Sequence, residues 1–351
     1  IERCIDVLRS VADGSRLIFG EDRPTSDEWA TRPLSQLFDE CELSQQATAV
    51  LDHWSGLYAG GPAQTAVIMH ARIIGHYMGG AYYPEGGGQM IAARLVQGIE
   101  ACGGEVRTLA PVERIAIENG RATGVVLADG TQIEAPIVVS NADYQRTIQH
   151  LVGTDHVLPS TASWADEADM TLGLICTYLV VDKKLEGPNT NYFSFPDYRT
   201  DEYYESLDAG ELPEGRVPFA YIAMASRKDP GNEELCPPGH TNLQVMTLAP
   251  RGNDFWGVTD GPADGGSYRR NETYRKRKEQ LTEALIDAAE DVLGPLRDHL
   301  VHVETATTLS HERYTHATGG TSYGSVSYTH LRAHETSLHL VCRLLLEKKT
   351  K

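Results

Sequence analysis

The feature that constrains this chain most is a succession of polar turns between β-prone segments. Val112 to Ile117, the turn Glu118-Asn119-Gly120, Ala122 to Leu127, the turn Asp129-Gly130 and Thr131 to Glu134 follow one another without interruption. Asn-Gly and Asp-Gly tolerate the left-handed backbone that tight hairpins need, so the stretch predicts a three-stranded antiparallel meander. Directly after it, Ile137-Val138-Val139-Ser140 is an unbroken apolar run ending at Asn141-Ala142-Asp143. Such a run predicts a strand covered on both faces of a parallel sheet, and the carboxyl ends of those strands are where α/β folds bind ligands.

The segments around the meander set the remaining architecture. Residues 1 to about 80 carry apolar positions at helical period, among them Leu37, Cys41, Leu43, Val50, Leu51 and Trp54, broken at Gly60-Gly61-Pro62. Gln89 to Ala101 places Met90, Ile91, Leu95, Val96 and Ile99 on one helical face and stops at Gly103-Gly104, with a strand expected over Glu105 to Leu109. From about 170 to 260, runs such as TLGLICTYLVVD and VPFAYIAMAS predict a second, largely antiparallel sheet, followed by an amphipathic helix over 271 to 293 with Leu281, Ala284, Leu285, Ala288, Ala289 and Leu293 inward. At 351 residues the chain is long enough for two cores.

Charge and composition exclude several function classes. A formal charge of -18 repels phosphate backbones, so no nucleic-acid partner is expected. The basic run Arg269 to Lys278 is interleaved with Glu272 and reads as a solvated helix face. No stretch has the 18 or so apolar residues of a membrane span, and no metal site is expected. The six cysteines, Cys4, Cys41, Cys102, Cys176, Cys236 and Cys342, are scattered without a C-x-x-C pair, which suits free, mostly buried thiols in a reducing, cytoplasmic compartment.

Both ends carry an expectation of their own. The chain begins at Ile1, consistent with a piece cut from a longer product. Val326 to Thr336 reads as the translation of a transposase-type sequencing adapter, and Leu340 to Lys349 as a second adapter block in the same frame. Residues from about 325 onward are therefore expected to be a non-native tail, in which His330, His334, Glu335 and His339 have no role.

Several motifs then fall into one order and spacing. Tyr82-Tyr83-Pro84-Glu85-Gly86-Gly87-Gly88, the following helix, Gly103-Gly104, the meander and Val138-Val139-Ser140-Asn141-Ala142-Asp143 together resemble the phytoene desaturase, carotenoid isomerase and retinol saturase group of flavoproteins. Asp229-Pro230, Pro237-Pro238-Gly239-His240-Thr241 and Ala249-Pro250 resemble that group's substrate-domain segments, so the likeness covers roughly residues 45 to 324. It implies a mixed α/β chain with the FAD/NAD(P)-binding Rossmann-like flavoprotein fold, truncated. Its implied parts are a helical part of the substrate domain over 1–80, part of an FAD-binding domain over 81–150, a substrate domain of antiparallel sheet and helices over 151–324, and the tail from 325.

The resemblance also implies chemistry and residues. FAD exchanges a hydride with a carotenoid, retinoid or other isoprenoid lipid in an apolar tunnel, with NAD(P) as an electron partner and peripheral membrane contact suggested by the insoluble substrate. Gly86 and Gly87 bring backbone to the cofactor at a helix N-terminus, or form a flexible turn. Val112 contacts the adenine end of FAD through its backbone, or is core. Ser140 and Asn141 lie on the dinucleotide path, or end a strand. Tyr82 and Tyr83 line the tunnel, or pack an interface. His70 and His76 are buried or interface histidines, or a proton relay, and His240 is a turn residue. No catalytic residue is assigned.

The departures bear on the alternatives. The group's G-x-G-x-x-G fingerprint is absent from the sequence, and Gly79-Gly80 and Gly86 to Gly88 do not follow a strand, so the fragment itself is expected to bind FAD poorly. The same plan serves flavin amine oxidases and protoporphyrinogen oxidases, and a non-enzymatic prenyl-lipid escort of the Rab GDP-dissociation inhibitor type.

Overall fold

The computed structural model describes residues 1–16, 27–212, 216–259 and 267–325. Of the tail expected from about residue 325, Ser325 is described and forms an isolated bridge with Met170; the remainder, from Val326 and including Cys342, lies outside the described residues. The first part of the chain is helical, with α1 (Glu2–Arg16), α2 (Asp27–Ala30), α3 (Leu34–Glu40), α4 (Gln45–Asp52), a 3-10 turn (His53–Leu57) and α5 (Val67–Met78). Ser44 starts α4 by accepting the Ala47 N–H at 3.2 Å. The apolar stripes of these helices close over Leu8, Val11, Leu34, Leu37, Phe38 and Val67.

The helix α6 (Gln89–Ala101) spans the expected residues. The meander is also formed, as β1 (Val112–Glu118), β2 (Arg121–Leu127) and β3 (Gln132–Glu134), antiparallel in sequence order. Asn119 and Gly120 turn β1 into β2 with φ of 49° and 70°. Gly124 is required where β2 crosses β3, because a Cβ there would stand 2.1 Å from the Ile133 carbonyl oxygen.

Two expected strands are not formed. Residues 105–109 and 137–140 are irregular, and among the described residues neither is paired with a strand. A strand is held by ladder partners, and without one an apolar run has no reason to extend. Leu109 is fully exposed at φ 54°, and Ile137 and Val139 are 78% and 87% exposed. The apolar face of α6 likewise has no buried residue.

Beyond the short helices α7 (Tyr144–Arg146) and α8 (Pro159–Glu167), the chain builds its main sheet from β4 (Leu174–Val181), β5 (Tyr192–Ser194), β6 (Ala220–Ala223), β7 (Thr241–Leu248) and β8 (Leu300–Ala306). The order is β5-β6-β7-β4-β8, and all its pairings are antiparallel, as expected for this region. Between them lie α9 (Thr200–Asp208), α10 (Ala225–Lys228) and α11 (Glu272–Leu293), with α12 (Thr308–Thr315) after β8. The edge strand β8 alternates Val301-His302-Val303-Glu304 but lies beyond the 170 to 260 region over which the second sheet is expected, and its central residues are exposed.

The main core lies between this sheet and α11. Asn271 caps α11 by accepting the Tyr274 N–H at 3.0 Å, and Leu281, Leu285, Ile286 and Ala289 pack on Ile175, Leu179, Ile222, Leu243, Val245 and Trp256. The expected inward face of α11 is thus the one that is buried. Cys4, Cys176 and Cys236 are buried, Cys41 is half-buried and Cys102 exposed, and all five are free. Leu285→Ala is expected to cost about 3 kcal/mol by removing side-chain volume from a closed site. Leu95→Ala, at a position 65% exposed, should cost under about 0.5 kcal/mol. Urea titration of the two variants checks both values.

Candidate functional site

The sheet has two faces because successive side chains of a strand point opposite ways. Tyr192, Ile222, Val245 and Ile175 face α11. Their neighbours form a row across the other face, in which register aligns Phe193 with Tyr221, Tyr221 with Met246, Met246 with Cys176 and Cys176 with Ala306. The helical part supplies a second wall. The Trp54 ring lies 4.4 Å from Tyr77 and 5.7 Å from Phe193, His53 lies 5.5 Å from Phe193, and Phe193 lies 4.9 Å from Tyr221. These rings are half-buried rather than enclosed in the core.

The band is apolar and holds its few ionisable groups neutral. Burial pushes the Cys176 thiol up to about 11 and the Tyr221 hydroxyl up to about 12, so neither is an anion at neutral pH. Its polar end is a short relay: Asn191 Nδ2 donates to the Tyr221 hydroxyl at 2.5 Å, and Lys228 Nζ donates to Asn191 Oδ1 at 2.5 Å. Lys228 also stands 5.7 Å from the Tyr83 ring.

The expected site residues fall into three places. Gly86 and Gly87 adopt φ of 85° and 82° ahead of α6, which has no side-chain cap, and the Gly86 N–H donates to Asp229 at 2.7 Å. Tyr83 faces Lys228, whereas Tyr82 is 92% exposed. Val112 opens β1 opposite Leu127. Ser140 shares a 2.8 Å hydrogen bond with Thr147, Asn141 is exposed, and Asp143 next to them accepts from the Thr318 N–H and hydroxyl at 3.0 and 2.8 Å. Among the described residues no hydrogen bond or ring contact joins the glycine loop to Ser140 or Val112. A groove of about 1320 Å³ beside α11 is lined by the charged residues Arg216, Lys276, Glu279, Glu283 and Asp287 together with the apolar Leu212, Phe255 and Leu281.

Behind the aromatic wall sits a closed polar cluster that sequence reading missed apart from His70. Asp52, Ser55 and His70 are fully buried. Tyr204 donates to Ser55 at 2.7 Å, and Tyr58 and His70 Nδ1 share a hydrogen bond of 2.7 Å, the donor set by the tautomer. Burial pushes His70 down to about 4, against an opposing pull from the Leu51 carbonyl, so it is a neutral core histidine. His76 is exposed at the end of α5, and His240 bonds back to Pro238 within its turn.

Neither Asp52 oxygen has a hydrogen-bond partner, and burial raises its carboxyl well above the ordinary range, with nearby Ser55 acting in the opposite sense and Asp201 adding to the rise. A raised folded value means that stability is full below the unfolded value of about 3.9 and falls as pH climbs toward the folded value. Asp52→Asn is neutral throughout, so it should remove this decline and be at least as stable as the parent at pH 8 in urea titrations. A loss of about 3 kcal/mol would instead reveal a charged, paired carboxylate.

No protein-family profile matches the chain. It is 29% identical over 307 residues to the all-trans-retinol 13,14-reductase of Danio rerio, covering 85% of this chain and 50% of the relative. It is 28% identical to the chloroplastic prolycopene isomerase of Daucus carota, over 71% of this chain and 36% of the relative. It is 29% identical to the 4,4'-diapophytoene desaturase of a Methylomonas species, over 49% and 32%. The chain thus spans about half the length, or less, of the curated relatives it matches. Among solved structures, an oxidoreductase from Methanosarcina mazei superposes with a TM-score of 0.55 at 19% identity, over 78% of this chain and 56% of that one. A putrescine oxidase variant superposes with a TM-score of 0.57 at 13% identity, over 94% and 65%. These superpositions establish a shared fold, and the sequence likeness runs to named members of the phytoene desaturase, carotenoid isomerase and retinol saturase group.

Proposed function

We propose that this chain is part of an FAD-dependent oxidoreductase, a desaturase, saturase or isomerase acting on a carotenoid, retinoid or other isoprenoid lipid. The observation that carries the reading is the apolar band of Trp54, Phe193, Tyr221, Met246 and Cys176, in a chain whose relatives are named for retinol, prolycopene and diapophytoene chemistry. Aromatic rings in contact with one another offer a conjugated chain an apolar surface to pack on. When bound, FAD supplies the hydride chemistry.

The residues of this chain bind and orient. Gly86, Gly87, Val112, Ser140 and Asn141 hold FAD through backbone and small polar groups, with Tyr82 and Tyr83 at the substrate side. Glycine is fixed at position 86 by its φ of 85° and by Met90, whose Cγ would stand 2.5 Å from a Cβ there. NAD(P) as the electron partner, a cytoplasmic location and peripheral membrane contact belong to the same reading. No helix among the described residues is long and apolar enough to cross a membrane. The domain division given above is part of this proposal.

The test is to purify the full-length protein, record its visible spectrum and assay it with retinol, prolycopene and a diapophytoene. The expected result is bound flavin and conversion of one of the three. Trp54→Ala should leave the flavin spectrum intact and raise KM for that substrate about tenfold, since an aromatic anchor is lost without change at the reacting bond. A folded, colourless protein that binds prenyl lipid would favour the escort reading, and oxidation of amines alone would favour the amine oxidases.

A further inference from the structure

At the polar end of the aromatic band, α10 places two half-buried cations whose polar contacts are neutral. Lys228 Nζ donates to the amide oxygen of Asn191 at 2.5 Å and stands over the Tyr83 ring. Arg227 donates to the Gly187 carbonyl through Nη2, while its buried Nη1 has no partner. Neither forms an ion pair with a carboxylate among the described residues, and the adjacent Asp229 is engaged by the Gly86 N–H. Partial burial without a counter-charge leaves a desolvation cost that neutral oxygens offset only in part. Burial draws Lys228 below its ordinary value in the same sense. An anionic oxygen arriving here would restore a charge-assisted hydrogen bond.

The arrangement connects this charge to the apolar surface. Asn191 is bonded to both Lys228 and the Tyr221 hydroxyl, and Tyr221 continues into Phe193 and Trp54. A ligand that satisfies the whole surface therefore has a flat apolar body and one acidic end. We propose that Lys228, held by Asn191, receives the carboxylate of an isoprenoid acid whose chain lies along Tyr221, Phe193 and Trp54. This deepens the reading above and rests on it: a hydrocarbon leaves Lys228 without a counter-charge, and an alcohol offers it only a neutral oxygen. With a formal charge of -18 on the chain, long-range attraction cannot select an anion, so selection falls to this short-range contact.

The experiment is equilibrium dialysis of the flavin-loaded full-length protein against all-trans-retinoic acid and its methyl ester, a neutral ligand of nearly the same shape. The acid is expected to bind about tenfold more tightly than the ester. Lys228→Met should remove that preference by weakening the acid alone, and Lys228→Arg should retain it. Equal affinities in the parent, or a preference that survives Lys228→Met, would overturn the anion site while leaving the isoprenoid reading intact. Binding of neither ligand would overturn both.

Discussion

Strand pleating forces every second residue of the main sheet to one side, and α11 occupies one of those sides. That constraint links stability to the candidate site. Ile175, Ile222 and Val245 are buried under α11, so Cys176, Tyr221 and Met246 have only the opposite face available. A one-residue slip of β6 against β7 would exchange the two sets, exposing the core and destroying the aromatic band together. The helical part then needs only to bring the turn carrying His53 and Trp54 against Phe193.

The fixing of that turn depends on a cluster with unusual electrostatics. Asp52 and Ser55 lie in and beside the 3-10 turn, and Tyr204 reaches Ser55 from α9. A charged carboxylate in this closed setting would be costly, and the neutral form removes most of that cost. The cluster thus joins the helical part to the α9 region while the ring side of the turn stays apolar. Ionisable groups are present near the band, but burial keeps Cys176, Tyr221 and His70 uncharged at neutral pH. This agrees with the proposed function, in which a bound flavin would carry the chemistry and the protein would position its ligand.

Much of the fold was legible because local signals agreed with tertiary structure. Asn119-Gly120 and Asp129-Gly130 placed the meander, Gln89 to Ala101 formed a helix as read, and the apolar stripe of α11 marked its buried face. The segments 105–109 and 137–140 were misread because their apolar residues describe an environment, and a strand also needs a partner beside it. The site was less legible. Glycine runs and a strand end drew attention to Gly86, Ser140 and Asn141, whereas Phe193 and Tyr221 looked like ordinary β-prone residues. Only the pairing of β5 with β6 puts them on one face, and a hydrogen-bonded relay that spans Asn191, Tyr221 and Lys228 leaves no pattern in a linear sequence.

The claim on which the account rests is that the sheet face opposite α11 carries the ligand. A crystal structure of the full-length, flavin-loaded protein soaked with a retinoid tests it directly. The account predicts an extended ligand lying against Trp54, Phe193 and Tyr221, with one end near Asn191. A retinoid bound instead in the charged groove beside α11, with those rings in contact only with one another, would contradict it.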